Sequence, residues 1–138
     1  MDLRKITDEF TVSPQIEASD IPDIVAAGYQ SVLCNRPDGE EPNQCPYDDV
    51  AQAAQAAGLE VRSVPIFSGM VRPEDLDAFN TALSEMPQPV LAYCRTGTRC
   101  TMLWTIAKYS QMDADEILKR TGQAGYDMSG IVQQMSQR

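Results

Sequence analysis

Twice along this chain a stretch with helical apolar spacing runs into Ala-Ala-Gly and is followed within a few residues by a short apolar run. Ala26-Ala-Gly28 precedes Ser31-Val-Leu-Cys-Asn35, and Ala56-Ala-Gly58 precedes a run over 61–66. Glycine at such a point closes a helix in the left-handed region, and a buried run after it reads as a strand. Helix and strand therefore alternate, and parallel strands need a helical crossover between them, so the pattern selects an α/β fold with a mainly parallel sheet. The two junctions share a turn and do not form an internal repeat. With 138 residues the chain can enclose one ordinary core but not two, so residues 1–138 are expected to form a single domain.

The other elements follow from the same periodicities. Phe10 and Val12 alternate as a short opening strand, and Ser19 is placed to cap a helix carrying Ile21, Ile24 and Val25, with Pro22 in its first turn. A polar loop over 37–46 leads to a helix with Val50, Ala53, Ala54 and Ala57 on one face. Pro73-Glu-Asp opens a third helix bearing Leu76, Phe79 and Leu83, and Pro89-Val-Leu-Ala-Tyr93 is a further strand. Three helices are expected over 101–110, 113–121 and 127–137, their methionines and aromatics recurring at core spacing.

Charge and composition remove several functions. Eleven Lys and Arg against twenty Asp and Glu leave a formal charge of −9, without the cationic surface that holds nucleic acid or anionic lipid. No run of about 18 apolar residues exists, and residues 1–11 lack the apolar stretch of an export signal, so a cytoplasmic protein is expected. There is no histidine, which eliminates Ser-His-Asp and Cys-His catalysis and histidine-containing metal sites. Cys34, Cys45, Cys94 and Cys100 contain no Cys-x2-Cys pair and are expected as reduced thiols, with no metal and no cofactor.

The chemical signal lies at the end of the 89–93 run, which passes directly into Cys94-Arg-Thr-Gly-Thr-Arg99 and from there into helical spacing. Ligands of parallel sheets sit beyond the carboxyl ends of strands, which points to residues 35–38, to 67–70 and above all to Cys94. The amides of a loop that opens a helix converge on one point with the positive helix end behind them. Arg95, Thr96, Gly97 and Thr98 thus make an anion cradle with a thiol on its floor and Arg99 beside it. An ordinary thiol ionises near about 8.5 and is about 3% thiolate at pH 7; the helix dipole, the amides and Arg99 are expected to bring Cys94 to about 5.5. Cys34 reads as a buried strand residue and Cys45 as an incidental loop thiol.

The segment Val90-Leu-Ala-Tyr-Cys-Arg-Thr-Gly-Thr-Arg99, together with Asn35-Arg-Pro-Asp-Gly-Glu-Glu41, Ser13-Pro-Gln15 and Ala124-Gly-Tyr-Asp127, resembles the bacterial beta-lactamase-hydrolase-like phosphatase-domain family (DUF442). Members of that family are also called rhodanese-like sulfur transferases, and some are fused to persulfide dioxygenases. The resemblance implies a dual-specificity-phosphatase-like three-layer domain, about four to five strands with helices on both faces. It further implies Cys94 as nucleophile, residues 95–99 as the anion loop, and a persulfide dioxygenase as a partner.

Three departures bear on the reaction. Tyrosine and dual-specificity phosphatases carry Cys-x5-Arg followed by Ser or Thr; here it is Cys-x4-Arg followed by Cys100, the loop length of rhodaneses. The stretch Phe67-Ser-Gly-Met-Val-Arg72, where those phosphatases place an aspartic general acid, has no carboxylate. Asp75 and Asp77 read as first-turn helix acids, leaving Asp38, Glu40 or Glu41, next to Arg36, as acids from the other loop. The leading expectation is therefore a rhodanese-like sulfurtransferase that loads sulfane sulfur on Cys94 from a persulfide or thiosulfate-type small molecule and hands it to a thiol acceptor, Arg95 and Arg99 binding the donor. The alternatives are a cysteine-dependent phosphatase acting through a phosphocysteine, and a noncatalytic module that senses an anion. Cys100 is open to two readings, a packing residue in the hydroxyl slot or a resolving thiol.

Overall fold

In the computed structural model, residues 1–67 and 71–137 are described. Five strands, β1 (Arg4–Lys5), β2 (Phe10–Ser13), β3 (Ser31–Cys34), β4 (Glu60–Ser63) and β5 (Val90–Tyr93), form one sheet in the order β1-β2-β5-β3-β4. Only β1 runs antiparallel to its neighbour. Among the described residues six α-helices accompany them: α1 (Ile21–Ala26), α2 (Tyr47–Ala56), α3 (Pro73–Glu85), α4 (Thr98–Lys108), α5 (Ala114–Gln123) and α6 (Ser129–Ser136).

The central strand β5 shows why the domain has three layers. All four of its residues are buried, so both faces must be covered. Side chains alternate along a strand. Val90 and Ala92 enter a core with Phe79, Leu103, Trp104, Ile117 and Val132 from α3, α4, α5 and α6, while Leu91 and Tyr93 enter one with Ile21, Ile24, Val50 and Ala54 from α1 and α2. This is the three-layer arrangement expected. None of the helices is long and apolar enough to cross a membrane among the described residues.

Several boundaries differ from expectation for identifiable reasons. Ser19 caps nothing; it lies in a single 3₁₀ turn (Ala18–Asp20) where the Asp20 carboxylate accepts the Glu17 amide at 2.8 Å, and α1 begins only at Ile21 with Pro22 in its first turn. Ala57 is exposed beyond the end of α2, and Ala51 takes its place in the buried stripe with Val50 and Ala54. β4 stops at Ser63 although the amides of Val64 and Ile66 still reach the carbonyls of Cys34 and Asn35. Pro65 has no N–H to continue the ladder. β1, two residues long, is too short to show a period of two.

Candidate active site

Register brings the site together. Ser13 and Cys34 both lie opposite Tyr93, so the three chains leaving β2, β3 and β5 emerge side by side at the carboxyl edge of the sheet. Gln15, Arg36 and Cys94 become neighbours in this way although 79 positions separate the first from the last. The junction is stitched by backbone: the Asn35 amide bonds the Tyr93 carbonyl at 2.8 Å and the Gln15 amide bonds that of Arg95 at 3.2 Å. Residues 68–70, the other strand end singled out from the sequence, lie outside the described residues.

Cys94 is 1% exposed at the floor of this junction. The Gly97 amide donates to its Sγ at 3.1 Å, and amides of Cys100, Thr96 and Arg99 also turn toward it. Its pKa is lowered to about 5, first by a hydrogen bond from the Cys100 thiol and then by these amides, against burial. The expected thiolate is present, but its main partner is Cys100; the Arg99 guanidinium bonds Glu40 and the Ile66 carbonyl and feels Cys94 through charge. Cys100 is fully buried, and burial followed by the Cys94 thiolate raises its own pKa well above the ordinary range, so it stays a donor. Each thiol thus shifts the ionisation of the other, and Cys100 does more than fill space. A hydrogen bond to a charged group is worth about 1.5–3 kcal/mol, or about 10- to 100-fold in an ionisation constant. Cys100→Ala should accordingly move the pH at which Cys94 reacts half-maximally with iodoacetamide from about 5 toward about 6–7, and Cys100→Ser, which keeps a donor, should move it less. An unchanged midpoint in the alanine variant would remove Cys100 from this role.

Neither of the other thiols competes. Cys34 is buried and donates to the Arg36 carbonyl at 3.3 Å. Cys45 is pushed up to about 11 by burial and by Glu17.

Charges alternate across the mouth. Arg36, 4% exposed, sends Nε to Glu40 Oε1 at 2.9 Å, Nη2 to Glu41 Oε1 at 3.2 Å and Nη1 to Gln15 Oε1 at 2.9 Å. Glu40 in turn receives Arg99 Nη1 at 2.7 Å and Nη2 at 2.8 Å, and Glu41 receives Arg95 Nε at 2.8 Å. Arg99 Nη1 also bonds the Ile66 carbonyl at 2.8 Å. A guanidinium has five N–H groups and three are thus engaged, which leaves the Nε and one Nη2 hydrogen without a partner among the described residues. That pair is one side of the planar fork, the geometry that takes two oxygens of a single anion. Arg95, 65% exposed at its side chain, stands at the rim with Glu41. Asp38 is not part of the site: its Oδ1 accepts the Tyr47 amide at 2.9 Å and holds the start of α2.

The loop itself is locked from outside by a residue that spacing alone did not bring forward. Tyr126, after α5, donates its hydroxyl to the Thr96 carbonyl at 2.8 Å, with Arg4 over its ring at 5.1 Å. Gly97 has φ +90° and a Cβ there would collide with the Tyr126 hydroxyl. Thr101 Oγ1 ties the Gly97 carbonyl at 2.8 Å to the first turn of α4. Gly97→Ala is therefore expected to lose about 2 kcal/mol or more in urea unfolding and to displace the cradle amides, whereas Tyr126→Phe, which keeps the ring, should lose about 1 kcal/mol. Equal stability of Gly97→Ala and wild type would show that the loop accommodates a side chain.

Glu40, Glu41, Arg95, Thr98, Arg99 and Met102 border an open cleft of about 530 Å³ along the loop that follows Cys94. A mainly parallel sheet, with a cysteine at the end of its central strand, an amide loop opening a helix and a buried arginine, has the three-layer fold of dual-specificity-like phosphatases and defines a phosphatase-like domain. The chain belongs to the family described as the phosphatase-like domain of beta-lactamase hydrolase-like proteins, which matches residues 2–111. Among its relatives is a beta-lactamase hydrolase-like protein of Xylella fastidiosa, 31% identical over 134 residues, covering 96% of this chain and 31% of the relative. The chain thus spans about a third of the length of that curated relative. A Neisseria meningitidis protein described as a candidate phosphatase superimposes with TM-score 0.88 at 31% identity, covering 99% of this chain and 98% of that one. The catalytic core of the PP-IP phosphatase Siw14 from S. cerevisiae shares the fold at TM-score 0.69 and 17% identity, covering 99% and 84%.

Proposed function

We propose that this domain is a phosphatase in which Cys94 accepts a phosphoryl group and water then removes it. The observation that carries the reading is the buried Cys94 thiolate facing an amide cradle, with two Arg99 N–H groups that have no partner among the described residues and suit one anion. Membership of a phosphatase-like family and the similarity to the Neisseria protein support it. The cradle amides and the Arg99 pair would hold the non-bridging oxygens, and the thiolate would attack phosphorus in line. When water discharges the phosphocysteine, sulfur becomes the leaving group, and the Cys100 S–H stabilises the thiolate as it re-forms.

This reverses the order expected from the sequence, where sulfur transfer led. The same thiolate could carry a persulfide, and the four-residue spacing between Cys94 and Arg99, the acid-free stretch 67–72 and Cys100 after the arginine favour it. Intact mass after a denaturing quench separates the two: a phosphate donor should add about 80 Da at Cys94, and sulfane sulfur would add about 32 Da. A sulfur adduct with turnover, and no phosphoryl adduct from any phosphate donor, would replace the phosphatase reading; neither adduct would leave an anion-sensing module.

A further inference from the structure

The phosphatase reading, on which this inference rests, leaves one reacting atom without a proton source. Protonation of a leaving oxygen by a placed acid contributes about 10²–10⁴-fold to ester cleavage. Each acid near the cleft already accepts from a nitrogen donor, and only Glu41 keeps a carboxylate oxygen, Oε2, without a partner among the described residues while bordering the cleft. Both oxygens of Glu40 accept guanidinium N–H groups, and its pKa is lowered to about 2, first by the hydrogen bond from Arg99 and then by Arg36. Glu41 Oε1 accepts from Arg36 and Arg95 at once. Asp38 holds the Tyr47 amide, and the Tyr126 hydroxyl is given to the Thr96 carbonyl.

The opposite loop offers nothing more. Residues 67–72 contain no Asp or Glu, and the next three acids, Glu74, Asp75 and Asp77, all lie in α3. Asp75 spends both oxygens on Arg72, Glu74 pairs with the same arginine at 3.5 Å, and Asp77 is exposed. The chain has no histidine.

We infer that the substrate is a phosphoryl compound whose leaving oxygen departs unprotonated, an acyl phosphate or a phosphoanhydride, and not an alkyl phosphomonoester. A carboxylate leaves with a conjugate acid near about 4 and a phosphate near about 6, whereas an aliphatic alcohol is nearly as weak an acid as water. In the first step the Cys94 sulfur bonds phosphorus as the P–O bond breaks, and the electron pair remains on the departing carboxylate or phosphate, so no proton moves. In the second, a water oxygen bonds phosphorus, the S–P pair returns to Cys94, one water proton stays on the new hydroxyl and the other passes to a phosphoryl oxygen. Dihydrogen phosphate is released and the thiolate is restored.

The test measures kcat/KM for acetyl phosphate, inorganic pyrophosphate, O-phosphoserine and a series of substituted aryl phosphates, with wild type and with Glu41→Gln. The aryl series should fall steeply as the phenol becomes less acidic. Acetyl phosphate or pyrophosphate should exceed phosphoserine by at least about 100-fold, and whichever leads identifies the class. Glu41→Gln, whatever it does to the absolute rate, should leave the slope of the series unchanged. A flat series with comparable phosphoserine turnover would overturn the inference while leaving the phosphatase reading intact, and a slope that steepens only in Glu41→Gln would do so by showing that Glu41 supplies the proton. No turnover of any phosphate and no phosphoryl adduct would overturn both.

Discussion

Cys94→Ser is expected to abolish phosphate turnover, a loss on the order of 10⁴-fold or more, while the domain melts within a few degrees of wild type. The nucleophile is an anion only because a sulfur can be brought to about 5 by the Cys100 thiol and the loop amides. A serine hydroxyl starts far higher, and this histidine-free chain has no base to remove its proton. Shape survives, since the smaller oxygen still accepts the Gly97 amide that now bonds Sγ at 3.1 Å. Single-turnover kinetics and calorimetry on the same preparation check both halves. Retained turnover with an intact fold would place the nucleophile elsewhere. Cys34, buried and donating to a carbonyl, and Cys45, held near 11, are poor substitutes.

The layers of this fold were legible because burial on two faces writes itself as unbroken apolar runs. The runs at Val32-Leu33 and Val90-Leu91-Ala92 give β3 and β5, and Gly28 and Gly58, at φ +96° and +86°, mark the helix ends before β3 and β4. What stayed hidden was set by single atoms or by pairing. Ser19 has the right residue type for a cap, but the Asp20 carboxylate already satisfies the Glu17 amide one turn earlier. No local pattern states that β5 inserts between β2 and β3, and that insertion is what brings Gln15 and Arg36 to Cys94.

The site was legible to the same extent. Cys94, Gly97 and Arg99 fall within six consecutive residues, so spacing alone locates the cradle. The roles of their partners depend on contacts across the chain. Glu40 and Glu41 were expected only as stand-in acids, yet they serve as anions that orient Arg99 and Arg95, with Arg36 buried behind both. Tyr126 sits in a segment whose resemblance to the family had been noted, but nothing in one sequence tells that its hydroxyl reaches the Thr96 carbonyl thirty positions away. Asp38 looked like one more acid of the same loop and is instead a helix anchor.

Arg99→Lys isolates anion binding from thiolate formation. Lysine keeps one positive charge but has three donors on a single nitrogen, and cannot hold both Glu40 oxygens, the Ile66 carbonyl and a second pair of oxygens in one plane. Removing one preorganised donor from a developing anion costs about 10²–10³-fold, so kcat/KM for a phosphoryl substrate should fall by about that factor. The Cys94 thiolate should be spared. Its pKa is held down first by the Cys100 thiol and then by backbone amides, and position 99 contributes its amide, which lysine retains. Iodoacetamide reactivity should therefore keep its midpoint at about 5, in contrast to Cys100→Ala, where the midpoint rises. The two variants together give opposite patterns, one losing substrate affinity with an unchanged thiolate and the other losing the thiolate with an intact fork. A raised alkylation midpoint in Arg99→Lys would mean that the guanidinium charge, and not the Cys100 thiol and the loop amides, keeps Cys94 ionised.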